Sequence, residues 1–340
     1  MAAVHEDGAF ESWLRPEAAG LYCVPGDFYI DPARAVDRAV ITHGHSDHAR
    51  PGHTAVLATA ETHAVNRLRL GAAAGLTQQV LALGEPLTVG DVKVSLLPAG
   101  HILGSAQVLM EYRGRRAVVT GDYKRTPDPT CQPFELARCD LLVTEATFGL
   151  PVFRHEPAHR EVGRLLASLK AFPDRTHQVG VYSLGKCQRM IMLLRQAGHD
   201  APIWLHGALE AMCALYQNLG VDLGPLRLVK DAQSTLAGEI VLSPPSALGD
   251  RWSRRLADPV TAVASGWMRV RGRARQRGVE LPLVISDHVD WPEIMATIEE
   301  TEAGEIWVTH GREEAVVYAA RKMGRRARAL ALVGREDESE

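Results

Sequence analysis

Residues 42–53 read T-H-G-H-S-D-H-A-R-P-G-H, and four side chains within six positions of this stretch can bind a transition metal. They are His43, His45, Asp47 and His48. The apolar residues 39–41 before them predict a strand, so the histidine-rich loop begins at a strand end. Imidazole together with carboxylate suits zinc, manganese or iron. The stretch therefore predicts a metal site, and the alternative is a polar loop that binds no ion.

The composition is that of an ordinary globular protein. The chain has 340 residues, of which 46% are hydrophobic and 23% charged, so about two domains with packed cores are expected. Residues 1–16 contain no apolar segment of the secretory kind, and no run approaches the roughly 18 apolar residues of a membrane span. The five cysteines form no C-x-x-C pair. These features predict a reduced, cytoplasmic protein with no membrane segment.

Positive charge is concentrated in one segment, although the net charge is -3. Eight arginines and one acid lie between residues 251 and 278. Beside Trp267, arginines recur at every second position, namely Arg269, Arg271, Arg273, Arg275 and Arg277. If the segment is extended, one face carries five cations, which is enough to bind a nucleic-acid backbone. The alternative is a solvated loop.

Six apolar, strand-like runs end on residues that can hold a metal or move a proton. The residues at their ends are His43, His101, Asp122, Glu145, Asp287 with His288, and His310. Because the strands of one sheet end along a common edge, we expect these residues to converge although they are far apart in sequence. Their convergence predicts a polynuclear metal site.

Residues 151–283 have a different pattern. The sequence predicts a helix at 158–171, a strand at 179–182 and a second helix at 186–196. Three more strands are predicted after them, at 202–205, 239–242 and 260–264. Alternating helices and strands predict an α/β unit with a parallel sheet. The predicted organisation is a domain over 1–150, continued by 284–340 and interrupted by a domain inserted over 151–283.

The predicted ligands are sufficient for two metal ions. His43, His45 and His101 give three nitrogens for one ion, and Asp47, His48 and His310 suit the second. Asp122 can bridge the two. Two ions held about 3.5–4 Å apart activate a bridging water as hydroxide and bind the attacking and leaving oxygens, which suits phosphodiester hydrolysis.

Three further residues have predicted supporting roles. His288 oriented by Glu145 suits a general acid that protonates the departing alkoxide. Asp31, which follows an early strand, is expected to accept a ring N–H from a ligand histidine and fix its tautomer. Asp47 is predicted to be a catalytic residue as well as a metal ligand. His53 is excluded because the ligand count is already met.

The motifs of the first domain resemble the metallo-β-lactamase fold. They are H-G-H-S-D-H at 43–48, A-G-H-I-L-G-S-A around His101, T-G-D-Y around Asp122 and the early Asp31. The resemblance implies an αββα metallo-β-lactamase sandwich that carries a two-metal site, with two divalent ions, zinc in preference to manganese.

Three later motifs are similar to those of the β-CASP nuclease branch of that fold. They are T-E-A-T-F-G around Glu145, S-D-H-V-D-W around His288 and V-T-H-G around His310. The branch includes the Artemis-type DNA nucleases, the mRNA 3′-end cleavage endonuclease and bacterial ribonuclease J. The resemblance covers nearly the whole chain and implies an inserted α/β β-CASP domain that helps to close over nucleic acid.

The longer phrases 144–155 and 264–277 look most like the bacterial ligase-associated DNA exonucleases. These accompany an ATP-dependent DNA ligase and a helicase, so the resemblance implies a metal-dependent DNA exonuclease acting in repair. A histidine at the last motif, His310, is instead the pattern of the RNA-cleaving members, so an RNA-processing ribonuclease is the alternative. A small-molecule metallo-hydrolase is disfavoured by the inserted domain and the arginine row.

The segment G-K-C-Q-R at 185–189 opens a predicted helix and is similar to the β-CASP G-K/R-x-Q signature. Backbone N–H groups, Lys186 and Arg189 are therefore expected to hold a phosphate. The predicted substrate-binding set is completed by Trp267, Arg269, Arg271 and Arg273. The alternative for 185–189 is an ordinary helix start.

Overall fold

The computed structural model describes residues 10–330, which form a mixed α/β protein. Within these residues the chain divides into two compact units. The first unit comprises 10–127, 131–152 and 289–330. The second comprises 128–130 and 153–288.

The first unit contains a six-stranded sheet whose strands follow the order of the chain. Its strands are β1 (Leu14–Glu17), β2 (Gly20–Cys23), β3 (Phe28–Ile30), β4 (Arg38–Val40), β5 (Ala55–Ala58) and β6 (Thr77–Val80). The first three strands pair antiparallel, and β3 to β6 pair in parallel. The helix α1 (Ala60–Leu70) lies between β5 and β6, and Thr59 caps it by accepting the N–H of Thr62.

A seven-stranded sheet completes the strands of this unit, in the order β19-β18-β11-β10-β9-β8-β7. The strands are β7 (Pro86–Val89), β8 (Val92–Pro98), β9 (Ala106–Tyr112), β10 (Arg115–Val119), β11 (Leu141–Ala146), β18 (Glu305–Gly311) and β19 (Arg326–Ala329). Because β9 is antiparallel to both β8 and β10, and β10, β11, β18 and β19 are parallel, five of these strands run in one direction. These five are β8, β10, β11, β18 and β19.

The two sheets of the first unit share one hydrophobic core. Leu21 and Val40 of the six-stranded sheet are buried in it together with Val108, Val143 and Trp307 of the seven-stranded sheet. The other face of the seven-stranded sheet packs against α6 (Trp291–Glu300) and α7 (Glu313–Lys322). Burying each such aliphatic side chain contributes about 1.5–3 kcal/mol, so these two cores fix the positions of the strand ends.

The second unit is built on a parallel sheet in the order β14-β13-β15-β12-β16-β17. Its strands are β12 (His177–Gly180), β13 (Ile203–Leu205), β14 (Leu226–Leu228), β15 (Ile240–Ser243), β16 (Val260–Ala264) and β17 (Leu281–Leu283). Its helices are α2 (Ala158–Ala171), α3 (Lys186–Gln196), α4 (Gly207–Asn218) and α5 (Arg271–Arg277). The parallel sheet predicted for this part of the sequence is confirmed.

Short 3-10 helices occur in both units. They span Phe10–Ser12, Gly71–Ala74, Val229–Asp231, Pro245–Ala247, Ser253–Arg255 and Gly266–Arg269. None of the helices within residues 10–330 has both the length and the apolar character needed to cross a membrane.

Local sequence predicts several elements correctly and misses others. The helices at 158–171 and 186–196 and the strand at 260–264 have the predicted bounds. The hairpin of β9 and β10 turns at Arg113 and Gly114, whose φ angles are 48° and 75°. The apolar run 284–286 before Asp287 is not the predicted strand because β17 ends at Leu283, and β7 has no counterpart among the predicted strands.

Candidate metal centre

Four predicted site residues lie at one edge of the seven-stranded sheet. His101 and Asp122 follow β8 and β10, while Glu145 and His310 lie near the carboxyl ends of β11 and β18. Since these strands run in the same direction, their carboxyl ends meet at that edge. The histidine-rich loop 42–53 follows β4, which belongs to the other sheet. The prediction that all the strand ends share one sheet is therefore wrong, and the ligands come from both sheets of the first unit.

The loops of the two sheets approach each other closely at Thr42. The N–H of Ala106 donates to the Thr42 carbonyl at 2.8 Å. Gly121 has a φ of 56°, and a Cβ at this position would lie 2.7 Å from Thr42 Oγ1. Only glycine combines this backbone conformation with so close an approach. Gly121 thus allows Asp122 to reach the loop that carries the histidines.

Four side chains converge in a first cluster, namely His43, His45, His101 and Asp122. The Nδ1 atom of His45 lies 3.1 Å from His43 Nε2 and 3.0 Å from His101 Nε2. Asp122 Oδ2 lies 3.4 Å from His43 Nε2 and 3.8 Å from His101 Nε2. All four atoms lie within 4.8 Å of one another.

A second cluster comprises Asp47, His48 and His310. His48 Nε2 lies 3.2 Å from Asp47 Oδ2, and Asp47 Oδ2 lies 3.8 Å from His310 Nδ1. The other oxygen of Asp122, Oδ1, lies 3.3 Å from His48 Nε2. The Asp122 carboxylate therefore has one oxygen towards each cluster, which is the geometry of a bridging ligand.

The donor atoms fit a divalent metal. Ligands about 2.0–2.1 Å from a tetrahedral ion are separated by about 3.3 Å, close to the spacings in the first cluster. His48 Nε2 and His310 Nδ1 are buried, and Asp47 Oδ2, which lies 3.2 and 3.8 Å from them, is not placed to form a hydrogen bond with either. A buried ring nitrogen of this kind is costly unless it binds something. The residues present can therefore hold metal ions.

Asp31 and Thr42 orient the rings of this site. His48 Nδ1 lies 2.8 Å from Asp31 Oδ2. Thr42 donates its backbone N–H to Asp31 Oδ1 at 2.7 Å and its hydroxyl to Asp31 Oδ2 at 2.6 Å. Asp31 has a left-handed φ of 43°, a conformation that costs about 1–3 kcal/mol and persists only where its surroundings impose it. With Nδ1 held by Asp31, the Nε2 atom of His48 is directed to the second cluster.

The electrostatics of the site favour a cation. Burial lowers the pKa of His43 to about 4, which leaves its ring neutral and able to bind a metal. Burial alone would lower the pKa of His48, but Asp122, Asp47 and Asp31 raise it well above its usual range. Burial would raise the pKa of Asp47, yet His48 keeps it below its usual range. Three buried carboxylates thus create a strong negative potential around these rings.

Asp31→Asn is expected to weaken binding of the ion at the second cluster, to which His48 belongs, about 10- to 100-fold. An amide has one oxygen and cannot accept all the hydrogen bonds that Thr42 and the His48 ring donate to the Asp31 carboxylate. Competition with a chelating dye measures this affinity. Asp37→Asn, an exposed carboxylate of the same unit, is the matched control. Equal affinity in Asp31→Asn and the wild type would show that Asp31 does not orient His48.

A β-bulge directs His310. In the pairing of β11 with β18, Glu145 is opposite Thr309 and Ala146 is opposite Gly311, so His310 is the extra residue. Its φ is 62°, again in the left-handed region. Bulges of this kind change the direction of a side chain at the edge of a sheet. Here the bulge accompanies the approach of His310 to Asp47.

Glu145 and His288 lie in different units. Glu145 is buried in the first unit, where Oε1 accepts the Tyr123 N–H at 2.9 Å and Oε2 accepts the Thr147 hydroxyl at 2.6 Å. His288 is buried at the end of the second unit, where its N–H donates to Ser286 Oγ at 3.0 Å. His53, which the sequence excludes as a ligand, accepts the Val36 N–H at Nδ1.

The prediction that Lys186 and Arg189 hold a substrate phosphate does not match their positions. Lys186 is 3% exposed and pairs with Asp287 at 2.9 Å. Arg189 is 2% exposed and pairs with Asp128 at 3.0 Å. Both cations are already neutralised by carboxylates inside the second unit. The first residues of α3 therefore form part of a buried ion-pair network and not an open anion site.

The arginine row is helical, so the predicted extended face with five cations is wrong. Arg269 ends the 3-10 helix Gly266–Arg269, and Arg271 opens α5. A helix distributes alternate residues around its axis. Arg273 instead stacks on Trp267, with Cζ 3.9 Å from the ring centroid, while Phe153 contacts the same ring edge-on at 5.2 Å between centroids.

Sequence reasoning missed three residues that support these sites. Thr42 has no predicted role, although a hydroxyl directly before a ligand at a strand end is a signal that the sequence contains. Asp287 lies beside His288 at a predicted strand end but has no predicted role of its own. Asp128, in the segment P-D-P, gave no signal because its partner Arg189 is distant in sequence.

The chain is similar to several curated proteins, although no family model matches it. It is 29% identical over 320 residues to a probable DNA ligase of Opitutus terrae, covering 92% of this chain and 30% of the relative. It is 32% identical over 120 residues to the Endoribonuclease ysh1 of Aspergillus fumigatus, covering 34% of this chain and 14% of the relative. The chain thus spans less than a third of each relative. These relatives support the resemblance to metallo-β-lactamase-fold β-CASP nucleases.

The fold is also similar to a solved structure. A protein of unknown function from Enterococcus faecalis V583 superposes with a TM-score of 0.54 at 14% sequence identity. The superposition covers 81% of this chain and 74% of that protein. At this identity the likeness concerns the fold alone.

Proposed function

We propose that the protein is a metal-dependent phosphodiesterase, a DNA exonuclease acting in repair. The observation that carries this proposal is the Asp122 carboxylate, whose two oxygens face two separate groups of buried histidines and carboxylates. In the same proposal the first unit is an αββα metallo-β-lactamase sandwich, and the second is an inserted β-CASP domain. The proposed ions are zinc, with manganese as the alternative.

Each cluster would hold one metal ion in the proposed reaction. His43, His45 and His101 would hold one ion, Asp47, His48 and His310 the other, and Asp122 both. Two divalent ions supply an activated water and neutralise charge on the phosphate. The protein residues contribute neutral imidazoles, a fixed His48 ring and a buried setting, which strengthens each electrostatic contact with the substrate.

Protonation of the departing alkoxide is the remaining requirement. We propose His288 as the general acid, because an imidazole can give up a proton near neutral pH. Glu145 is proposed as the carboxylate that orients it. Glu145 is itself held by Tyr123 and Thr147, so its position is fixed before substrate binds.

DNA is the preferred substrate in this proposal because of the relatives and the longer motifs. A protein named as a probable DNA ligase aligns with 92% of this chain, which supports action beside a DNA ligase. The ATP dependence of that ligase and a helicase partner rest on the resemblance of the motifs at 144–155 and 264–277. Cys23, Cys139, Cys187 and Cys213 are buried thiols outside any disulfide, which supports a reducing, cytoplasmic setting. RNA is the second candidate for two reasons. A histidine at the last motif, here His310, is the pattern of the RNA-cleaving members, and another relative is named an endoribonuclease.

The proposed nucleic-acid contacts are Trp267, Arg269, Arg271 and Arg273. Arg269 and Arg271 are exposed, and Arg273 covers one face of the Trp267 ring. Arginine and tryptophan together bind a phosphate backbone and stack on bases without requiring one sequence. Lys186 and Arg189 are removed from this set because they are buried and paired.

The decisive experiment is parallel digestion of matched 5′- and 3′-labelled DNA and RNA, single- and double-stranded, after chelation and re-addition of zinc or manganese. We expect metal-dependent release of nucleotides from DNA ends, with RNA cleaved at least tenfold more slowly. Faster cleavage of RNA would favour the ribonuclease. Absence of phosphodiester cleavage with either metal, in a folded sample, would exclude both.

A further inference from the structure

Four charged side chains form a buried network in the second unit: Asp128, Lys186, Arg189 and Asp287. Their exposures are 5%, 3%, 2% and 5%, respectively. Lys186 Nζ lies 2.9 Å from Asp287 Oδ2, and Arg189 Nη1 lies 3.0 Å from Asp128 Oδ2. Arg189 Nε lies 3.9 Å from Asp287 Oδ1, which joins the two pairs. The network has two cations and two anions and is therefore neutral as a whole.

Such a network is not explained by stability. Removing four charges from water is costly, and apolar residues of similar volume often serve a core as well or better. Further hydrogen bonds fix the position of Asp128, whose Oδ1 accepts the Thr130 N–H at 2.8 Å and the Thr130 hydroxyl at 2.6 Å. Burial alone would raise the pKa of Asp287, but Lys186 and Arg189 keep it below its usual range, so this carboxylate stays ionised. The role of the network is therefore inferred from the part of the backbone that it fixes.

The network holds the segment 284–288, which follows β17 without pairing as a strand. Lys186 Nζ donates to the Ile285 carbonyl at 3.0 Å as well as binding Asp287, so one ammonium fixes the backbone on both sides of Ser286. Ser286 Oγ accepts the His288 N–H at 3.0 Å and donates to the His288 carbonyl at 3.1 Å. Each of these bonds restricts the backbone that carries His288.

The start of the same segment is fixed from α2. Glu161 Oε2 accepts the Val284 N–H at 3.0 Å and also pairs with Arg164. The segment is thus tied down at Val284, Ile285, Ser286 and Asp287 in succession. A loop that lacks strand partners but is held at successive residues delivers its last side chain in a defined position.

We propose that Lys186 and Asp287, supported by Arg189 and Asp128, are positioning residues that fix the backbone of His288 for proton donation. The inference rests on the proposed function, in which His288 is the general acid. It gives Lys186 and Arg189 a role that requires burial, whereas a phosphate contact requires access to substrate.

The test removes one pair while leaving the network neutral. In the double variant Lys186→Met/Asp287→Asn, the Arg189–Asp128 pair is intact and no buried charge is left alone. We expect kcat on DNA to fall about 10²-fold, because displacement of a reacting group by about 1 Å has an effect of this size. KM for DNA and the number of bound metal ions should stay unchanged. In a His288→Ala background the same double change should cause no further loss.

A second substrate separates positioning from general damage. A nucleoside p-nitrophenyl phosphodiester has a leaving group that departs as a stable anion and needs no proton. Loss of a general acid therefore affects it little, whereas a distorted metal site would slow both reactions equally. We expect the double variant and His288→Ala to lose at most a few-fold in kcat on this ester.

The matched control is Arg160→Met/Glu156→Gln, which removes an exposed ion pair of 2.8 Å from the same unit and should leave both reactions unchanged. Equal losses on both substrates, additive loss with His288→Ala, or a raised KM with normal kcat would each overturn the inference. If His288→Ala cleaves DNA at the wild-type rate, the role of His288 fails and this inference with it. A wild-type chain that cleaves neither substrate would instead refute the proposed function itself.

Discussion

Asp122→Asn is expected to slow phosphodiester cleavage by at least about 10³-fold and to reduce the bound metal from two ions per chain to about one. Asp122 Oδ2 faces His43 and His101, whereas Oδ1 faces His48. An asparagine keeps the shape of the side chain but has one oxygen and no charge. It can therefore serve one cluster at most, and the site loses the group that couples the two ions.

Metal analysis and single-turnover cleavage of end-labelled DNA measure the two effects separately. Asp140→Asn is the matched control, because Asp140 is an exposed carboxylate of the same unit that accepts the Arg116 N–H at 2.8 Å. It should keep both ions and full activity. If Asp122→Asn retained two ions per chain and the wild-type rate, Asp122 would not be a bridging ligand.

Most of the candidate metal centre could be predicted because its residues have local signals. A ligand at the end of a buried strand is visible as an apolar run followed by His, Asp or Glu, and this holds for His101, Asp122 and His310. The spacing within 43–48 likewise lies inside one loop. What local sequence does not encode is the sheet to which each strand belongs, since pairing depends on contacts between distant residues. The wrong assumption of a single sheet follows from this.

Side-chain partners were the least predictable feature. The sequence predicts Lys186 and Arg189 as exposed cations at a helix start, because their partners Asp287 and Asp128 are 101 and 61 positions away along the chain. The arginine row failed for another reason. Its period of two resembles a strand, but arginine, alanine and glutamine favour helix and the run from Arg271 to Arg277 lacks β-branched residues. The helix propensity of these residues therefore decides the local structure, and the period of two in the arginines does not.

The β-bulge at His310 depends on a glycine that only the structure explains. Gly311 has a φ of 104°, and a Cβ there would lie 2.3 Å from the Ala146 carbonyl oxygen, which belongs to the neighbouring strand and cannot move aside. Gly324 has a φ of 80°, but a Cβ there would meet no atom within 4 Å. The two glycines therefore separate the cost of backbone conformation from the cost of a backbone clash.

Gly311→Ala is accordingly expected to lower the free energy of unfolding by about 3–5 kcal/mol, against about 1–2 kcal/mol for Gly324→Ala, where only the left-handed conformation is penalised. Relief of the clash at Gly311 requires β18 to move away from β11, and the bulged His310 moves with it. Gly311→Ala should therefore also weaken the more weakly bound ion, whereas Gly324→Ala should leave both ions bound. Urea denaturation and metal titration of the two variants test this. Equal stability of the two variants would mean that the bulge adapts to a side chain, and that His310 is not held by the pairing of these strands.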